Sequence, residues 1–120
     1  MLKALEGLPS NVVAFEAVGY IEASDYETVL DPVLESALAT HDKVRFLYLL
    51  GTEFEGLTAG AMWEDAKVGL GHWSSYEKIA LVTDHDSYRD AVVLMARLMQ
   101  GSIKAFTVAE LDAAKEWIAS

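Results

Sequence analysis

The chain has 120 residues, 52% hydrophobic and 23% charged, and this length and composition predict one domain with a buried core. Its formal net charge of −10 opposes binding to nucleic acid and anionic lipid, because the scattered basic residues form no patch that offsets it. The absence of cysteine excludes disulfides and thiolate sites, and without a membrane-length apolar run or a signal peptide pattern the expected location is cytoplasmic.

The first part of the chain predicts a hairpin followed by a helix. The segments LKAL and NVVAFEAVGYIEA have the composition of strands, and the turn residues from Gly7 to Asn11 between them indicate antiparallel pairing. The stretch SDYETVLDPVLESALATH then places apolar residues at the spacing of one helical face. Ser24 and Glu27 match a capping box at its start. Pro32 predicts a kink or a division of this helix, with Asp31 as the cap of the second half.

The rest of the chain alternates between strand and helix patterns. VRFLYLL is nearly all apolar, as is typical of a strand covered on both faces, so we expect it at the centre of the sheet. YEKIALVTD and SIKAF predict two further strands, separated by a helix over SYRDAVVLMARLMQ that Gly101 would cap. Thr107 and Glu110 match a capping box before a final helix. The result is an α/β domain with a mixed, mostly parallel sheet of about five strands and about four helices.

Several segments, in order, resemble the bacterial SpoIIAA-like proteins, which are grouped with STAS domains. They are LEGLPSNVVAFEAVGYI, DYETVLDPVLESAL, VRFLYLLG, GAMWEDAKVGL, YEKIALVTD and AFTVAELDAAKEWI. The resemblance covers essentially the whole chain. It implies a single STAS-like domain, a β-α superhelix whose fold is shared with the CRAL-TRIO lipid-carrying domains, and it implies no established enzymatic activity.

The stretch LGTEFEGLTAG lies where the resemblance would place a phosphorylation switch. Phospho-regulated STAS proteins, the anti-sigma-factor antagonists, carry an Asp-Ser pair there, whereas this stretch has only Thr52 and Thr58 as hydroxyl side chains. A helix start beside Thr58 favours a phosphate. Threonine is also a common helix cap, and the cap is the favoured interpretation. The resemblance therefore implies a signalling fold that does not retain the usual phosphosite.

No residue pattern in the sequence indicates catalysis. Asp84, His85 and Asp86 end a predicted strand, where α/β sheets often bind ligands, and their side chains suit a metal ion. Consecutive residues rarely converge on one point, so capping of the next helix by Asp84 or Asp86 is the favoured interpretation. His41 is interpreted as a residue at a helix end, and His72 lacks a neighbouring nucleophile and carboxylate. The prediction is a protein that is not an enzyme and needs no cofactor and no metal.

The segment LTAGAMWEDAKVGLGHW predicts a helix with one apolar stripe, with Glu64, Asp65 and Lys67 facing away from it. The stripe is either ordinary core or the wall of a pocket. Gly56 and Gly60 before the helix, with Gly69 and Gly71 near its end, would allow it to move as a unit, and methionines adapt to varied ligands. The predicted ligand-binding residues are Phe54, Met62, Trp63, Ala66, Leu70, Trp73, Met95 and Met99.

Two functions of different classes follow from these patterns. The first is a non-enzymatic module that binds a small apolar or lipid-like molecule beneath the helix from Met62 to Trp73, with transient peripheral membrane association through the same helix as a related form. The alternative is a STAS-type signalling module that binds a protein partner. An enzyme that uses His72 and the segment from Asp84 to Asp86 is the least supported hypothesis. The sequence predicts no nucleic-acid partner and sets no oligomeric state.

Overall fold

A five-stranded sheet in the order β1-β2-β3-β4-β5 forms the centre of the molecule, and the computed structural model describes residues 1–98 and 102–120. β1 pairs antiparallel with β2, and every later pair is parallel. The predicted hairpin, the central position of VRFLYLL and the mixed sheet are therefore confirmed. The strands β1 to β5 are Leu2–Ala4, Val12–Ile21, Val44–Leu57, Tyr76–Thr83 and Ser102–Phe106.

Four segments that contain α-helix accompany these strands within the described residues, besides two short 3-10 helices at Trp73–Ser75 and Val108–Glu110. The first runs from α1 (Ala23–Asp25) through a π-helix (Tyr26–Leu30) into α2 (Asp31–Thr40), and the others are α3 (Ala59–Gly71), α4 (Asp86–Leu98) and α5 (Leu111–Ala119). Crossovers between neighbouring parallel strands share one hand, which places the first three segments on one face of the sheet. α5 follows the last strand and covers the opposite face. Over the described residues, none of these helices has the length and hydropathy to span a membrane.

The N-cap of the first helix lies two residues earlier than the sequence predicts. The capping box expected from Ser24 and Glu27 is wrong, because Glu22 is the N-cap and its backbone N–H donates to Asp25 Oδ2 at 2.8 Å. Both pairs have the same spacing of three residues. β2 ends at Ile21, so Glu22 is the first extended residue available to begin the helix.

The interruption predicted at Pro32 takes the form of the π-helix that directly precedes α2. Proline has no backbone N–H to donate to the preceding turn, and the wider π turn lies where that regular hydrogen bond is missing. Asp31 does not cap the second half, since Leu30 occupies the N-cap position of α2. The second capping box is confirmed: Thr107 N–H donates to Glu110 Oε1 at 2.8 Å. The predicted cap at Gly101 lies outside the described residues.

Two cations from the sheet hold the last turn of α5. Arg45 Nη1 donates to the carbonyl oxygen of Ile118 at 2.8 Å, and Lys78 Nζ donates to that of Trp117 at 3.0 Å. Lys78 Nζ also lies 5.1 Å from the centre of the Trp117 ring. Carbonyl groups at a helix end have no partner within the helix and carry partial negative charge. These contacts therefore tie α5 to β3 and β4 at the end where it would otherwise fray.

Candidate functional site

α3 presents to solvent the apolar stripe that its sequence predicts for the interior. Met62, Trp63 and Leu70 are exposed by 59%, 66% and 72%, and Ala59 and Ala66 are exposed as well. Helical periodicity correctly groups these residues on one side of α3. The expectation that this side lies against the sheet is wrong.

Two acidic side chains of α3 reach the layer beneath it, where buried tyrosines need a hydrogen-bond acceptor, while Asp65 as a whole residue stays exposed. The Tyr26 hydroxyl donates to Asp65 Oδ1 at 2.8 Å and lies 3.0 Å from the Tyr48 hydroxyl. Tyr26 is fully buried, and a buried hydroxyl without a partner costs about 1–3 kcal/mol. Glu64, also expected to face away, is buried and pairs with Lys67 at 2.9 Å. Because the Tyr26 hydroxyl needs this acceptor, α3 is turned about its own axis so that the Asp65 carboxyl reaches it.

The bonds between Tyr48, Tyr26 and Asp65 run in one direction. Tyr26 gives its proton to Asp65, so Tyr48 must be the donor to the Tyr26 oxygen. Burial is the largest cause that raises the pKa of both phenols, and they stay neutral at physiological pH. Burial also raises the pKa of the Asp65 carboxyl, against the opposing effect of the bond from Tyr26. The hydrogen bonds therefore lead from the neutral hydroxyl of Tyr48 through that of Tyr26 to the carboxyl group of Asp65.

A cavity of about 230 Å³ lies between the sheet and helices α3 and α4, beside this chain. Asp65, Tyr48, Tyr76 and Tyr88 supply its polar groups, and Tyr76 donates its hydroxyl proton to the carbonyl oxygen of Val68 at 3.1 Å. The volume exceeds the roughly 150 Å³ of an engineered apolar cavity that binds benzene. The space therefore suits a small, mostly apolar molecule. Its apolar wall includes Phe46, Leu50, Ile79, Leu81, Val92 and Met95.

The predicted binding residues differ in how they relate to this cavity. Met95 lines the wall. Phe54 is buried next to it, with its ring centre 5.8 Å from that of Tyr88, which does line the wall. The exposed stripe of α3 contributes nothing to the cavity, so its predicted pocket contact is not made. Met99 and the side chain of Trp73 lie outside what the structure describes.

The glycines around α3 differ in what they do. Gly56 has a φ of +145°, and a Cβ atom there would lie 3.3 Å from a tyrosine ring. A Cβ atom on Gly60 would lie 3.3 Å from an alanine side chain of α1, whereas one on Gly69 or Gly71 would meet nothing within 4 Å. The positive φ explains the glycine at position 56, and the close approach to α1 explains the glycine at position 60. Gly69 leaves open space at the cavity wall, and the mobility of α3 stays a prediction.

The other candidate sites have structural roles. Thr58 Oγ1 accepts a hydrogen bond from Ala61 N at 3.2 Å, so the predicted cap of α3 is confirmed. Asp84 Oδ1 accepts from Val108 N at 3.0 Å and so caps the turn before α5, not α4 as its position predicts. His41 directly follows the last residue of α2, as expected. Across residues 1–98 and 102–120, no group of three His, Cys, Asp or Glu side chains could hold a metal ion.

Comparison with known proteins identifies the family. Residues 12–119 match the family model described as SpoIIAA-like. The chain belongs to the SpoIIAA-like family. This SpoIIAA-like domain is also similar to the crystal structure of an uncharacterized protein of the DUF3478 family, with a SpoIIAA-like fold, from Shewanella loihica PV-4. The two chains are 28% identical, the match covers 98% of this chain and 92% of that one, and the TM-score is 0.73. No curated protein matches the chain.

The family assignment and the solved structure confirm the predicted SpoIIAA-like α/β fold, but sequence patterns missed most of the cavity in this SpoIIAA-like domain. The wall residues of β3 and β4 are hidden in the sequence, because both faces of a covered parallel strand are apolar. One signal was present. Phe46 and Tyr48 are large aromatic residues two positions apart, and therefore on one face of β3, while Leu47 and Leu49 face the other way.

Proposed function

We propose that this SpoIIAA-like domain is a non-enzymatic module that binds a small apolar molecule in the cavity between the sheet and helices α3 and α4. The observation that carries the proposal is the cavity of about 230 Å³ with a mainly aliphatic and aromatic wall. Ligand sites are usually concave and mostly apolar, with a few polar groups that orient the ligand. The proposal also agrees with the fold resemblance to lipid-carrying domains.

The size of the cavity sets the affinity to expect. A ligand with eight carbons gains about 0.8 kcal/mol for each buried CH₂ group, or roughly 6 kcal/mol in all, before the cost of association. The net affinity for such a probe should then lie in the high micromolar range or weaker. Titration followed by NMR chemical shifts measures binding of this strength, and it also shows which residues respond.

Gly69 offers a test because a side chain placed there would enter open space at the cavity wall. The variant Gly69→Leu should bind octanol at least about tenfold more weakly than the wild type. Gly71→Leu is the matched control: it also replaces a glycine of α3, a Cβ atom there meets nothing within 4 Å, and Gly71 does not line the cavity. Octanol binding that is equal in the two variants, or shift changes remote from Ile79, Leu81 and Val92, would refute the proposal.

The exposed stripe of α3 favours a second candidate function, a STAS-type module that binds a protein partner. Met62, Trp63 and Leu70 are each more than half exposed on one helix face, and clustered apolar side chains on a surface mark contact sites. The formal net charge of −10 repels anionic lipid and attracts basic groups. The partner that suits this face is therefore a protein with an apolar groove bordered by basic residues. Thr58, the nearby hydroxyl, is engaged as a helix cap.

A basic amphipathic peptide of alternating leucine and lysine blocks serves as the probe for this second function. Trp63→Ser should weaken peptide binding about tenfold, while Val33→Ser, which removes an exposed apolar residue of α2, should leave it unchanged. Titration by fluorescence anisotropy of a labelled peptide measures both. Equal loss in the two variants would show that the α3 face is not the contact. Flotation with neutral vesicles in the absence of peptide binding would favour a membrane contact instead.

A further inference from the structure

The polar atoms of the cavity wall are better suited to accept hydrogen bonds than to donate them. Tyr48 gives its proton to Tyr26 across 3.0 Å, and Tyr76 gives its proton to the carbonyl oxygen of Val68 across 3.1 Å. The Asp65 carboxylate has no proton to give. Tyr88 is the one tyrosine of the wall whose hydroxyl makes no hydrogen bond to another described residue. A ligand with its own donor groups therefore finds several acceptors and few competing donors.

The charge of the described cavity wall is negative. Asp65 is the one charged side chain among the described residues that line the cavity, and Lys, Arg and His are absent from that set. Lys67, two positions along α3, is engaged with Glu64 at 2.9 Å. The residues at 73 and 98–101, whose side chains are not described, are uncharged in the sequence. No cation in the described wall balances the carboxylate beside this apolar space.

We infer that the cavity takes an apolar molecule that bears one cationic nitrogen, with the ammonium group at Asp65 and the hydrocarbon part against β4 and α4. The inference rests on the proposed function and names its ligand class. Four aromatic rings of the wall, from Phe46, Tyr48, Tyr76 and Tyr88, add to the selectivity, because cations are attracted to ring faces. A fatty acid would bring a second negative charge to Asp65 and find no cation to pair with.

Three probes of equal chain length separate the two proposals. Octylamine, octanol and octanoate carry a cationic, a neutral and an anionic head at pH 7 on the same eight-carbon chain. Octylamine should bind the wild-type protein at least about tenfold more tightly than octanoate, with octanol between them. NMR titration measures all three affinities. Nuclear Overhauser contacts from the CH₂ group next to the amine nitrogen should reach the Tyr48 ring.

The variant Asp65→Asn tests the residue that makes the selection. Its amide oxygen still accepts the bond from Tyr26, so the fold should persist while the preference for octylamine over octanoate falls to about threefold or less. Asp112→Asn is the matched control, since it removes one negative charge from an exposed position on α5, on the opposite face. This variant should keep the full preference, which separates the effect of Asp65 from that of the net charge.

Each result decides between the proposals. If none of the three probes binds the wild type, the proposed function itself fails. If octanol binds and octanoate binds as tightly as octylamine, the cavity is a ligand site but the inference about a cationic nitrogen is overturned. Equal preferences in Asp65→Asn and Asp112→Asn would overturn that inference as well. Should Asp65→Asn fold poorly, the Overhauser contacts in the wild type decide, because an amine head located away from Tyr48 also overturns the inference.

Discussion

The two faces of the sheet are built from the same strands but differ in what they bury. Toward α5, Leu47, Leu49 and Val82 pack against Ile118 in an aliphatic layer, and cations hold the end of the helix. Toward α3 and α4, tyrosine hydroxyls and a carboxyl group adjoin a cavity of about 230 Å³. The side chains of the first face are almost completely withdrawn from solvent, which is the burial that stabilises a fold. The second keeps space and hydrogen-bonding groups, which are the features of a site.

One hydroxyl group accounts for much of this difference. Tyr48 occupies a position on β3 whose neighbours in sequence, Leu47 and Leu49, face α5. Its hydroxyl bonds to Tyr26, which requires the carboxyl of Asp65 above it. With the Asp65 carboxyl held at this hydroxyl and Glu64 buried, the apolar stripe of α3 lies in solvent. A polar pair beneath α3 therefore determines both the chemistry of the cavity and the exposed face.

Matched truncations on the two faces should give the largest contrast. Leu47→Ala removes a fully buried side chain from the α5 face, and it should lower the free energy of unfolding by about 3 kcal/mol. Leu81→Ala, on the half-buried wall of the cavity, should lower it by less than about 1.5 kcal/mol, because part of its surroundings is already empty. Urea unfolding measures both. Equal losses would mean that the cavity face is as closely packed in solution as the other.

The cations beneath α5 provide a second contrast, of intermediate size. Arg45→Met keeps the aliphatic stem but removes the bonds to the Ile118 carbonyl and to Glu77, and it should cost about 1–2 kcal/mol. The loss should be local, so amide hydrogen exchange should accelerate in α5 and remain unchanged in α3. Comparable acceleration in α3 would show that the two faces are not independent in stability.

The smallest expected effect is the pH dependence of the cavity face. The raised pKa of Asp65 means that folding disfavours its charged form relative to the unfolded chain, mainly through burial. Its stabilising contribution is therefore full at pH values below the ordinary pKa of the carboxyl and is lost as the pH rises through the folded pKa. Tyr26, Tyr48, Tyr76 and Tyr88 surround this part of the cavity, and burial raises the pKa of the first three, which stay neutral over that range. Asp65→Asn, neutral at every pH, should raise the Tm slightly at pH 7.

Thermal unfolding at a series of pH values measures this effect. The gain in Tm of Asp65→Asn over the wild type should shrink as the pH falls and vanish near pH 3. Asp31 also has a raised pKa, caused first by burial and then by Glu64, but it is present in both proteins and cancels in the difference. Asp112→Asn should show no such trend. A constant difference between Asp65→Asn and the wild type would contradict the assigned direction.

Most features that depend on neighbours in sequence were predictable, although the caps expected at Ser24 and Asp31 were wrong, and features that depend on distant contacts were not. The positions of the strands and the caps at Thr58 and Thr107 follow from local patterns, and the structure confirms them, but β3 continues beyond the predicted VRFLYLL to Leu57. Periodicity grouped the apolar residues of α3 but could not say which side meets the sheet. The answer depends on the bond from Tyr26 to Asp65, across 39 positions. The bond from Arg45 to Ile118 spans 73 positions, and no local pattern indicates it.

The π-helix at Tyr26–Leu30 sets the direction in which the side chains before it point relative to those of α2. In this wider turn the N–H of Asp31 donates to the carbonyl oxygen of Tyr26, so the turn contains one residue more than an α-helical turn. Each residue of an α-helix advances the side-chain direction by about 100°. Closing the π turn to α-helical geometry would therefore swing Tyr26 by about that angle relative to Leu34. A single extra residue in the backbone thus keeps the tyrosine aligned with Asp65 while α2 stays seated on the sheet.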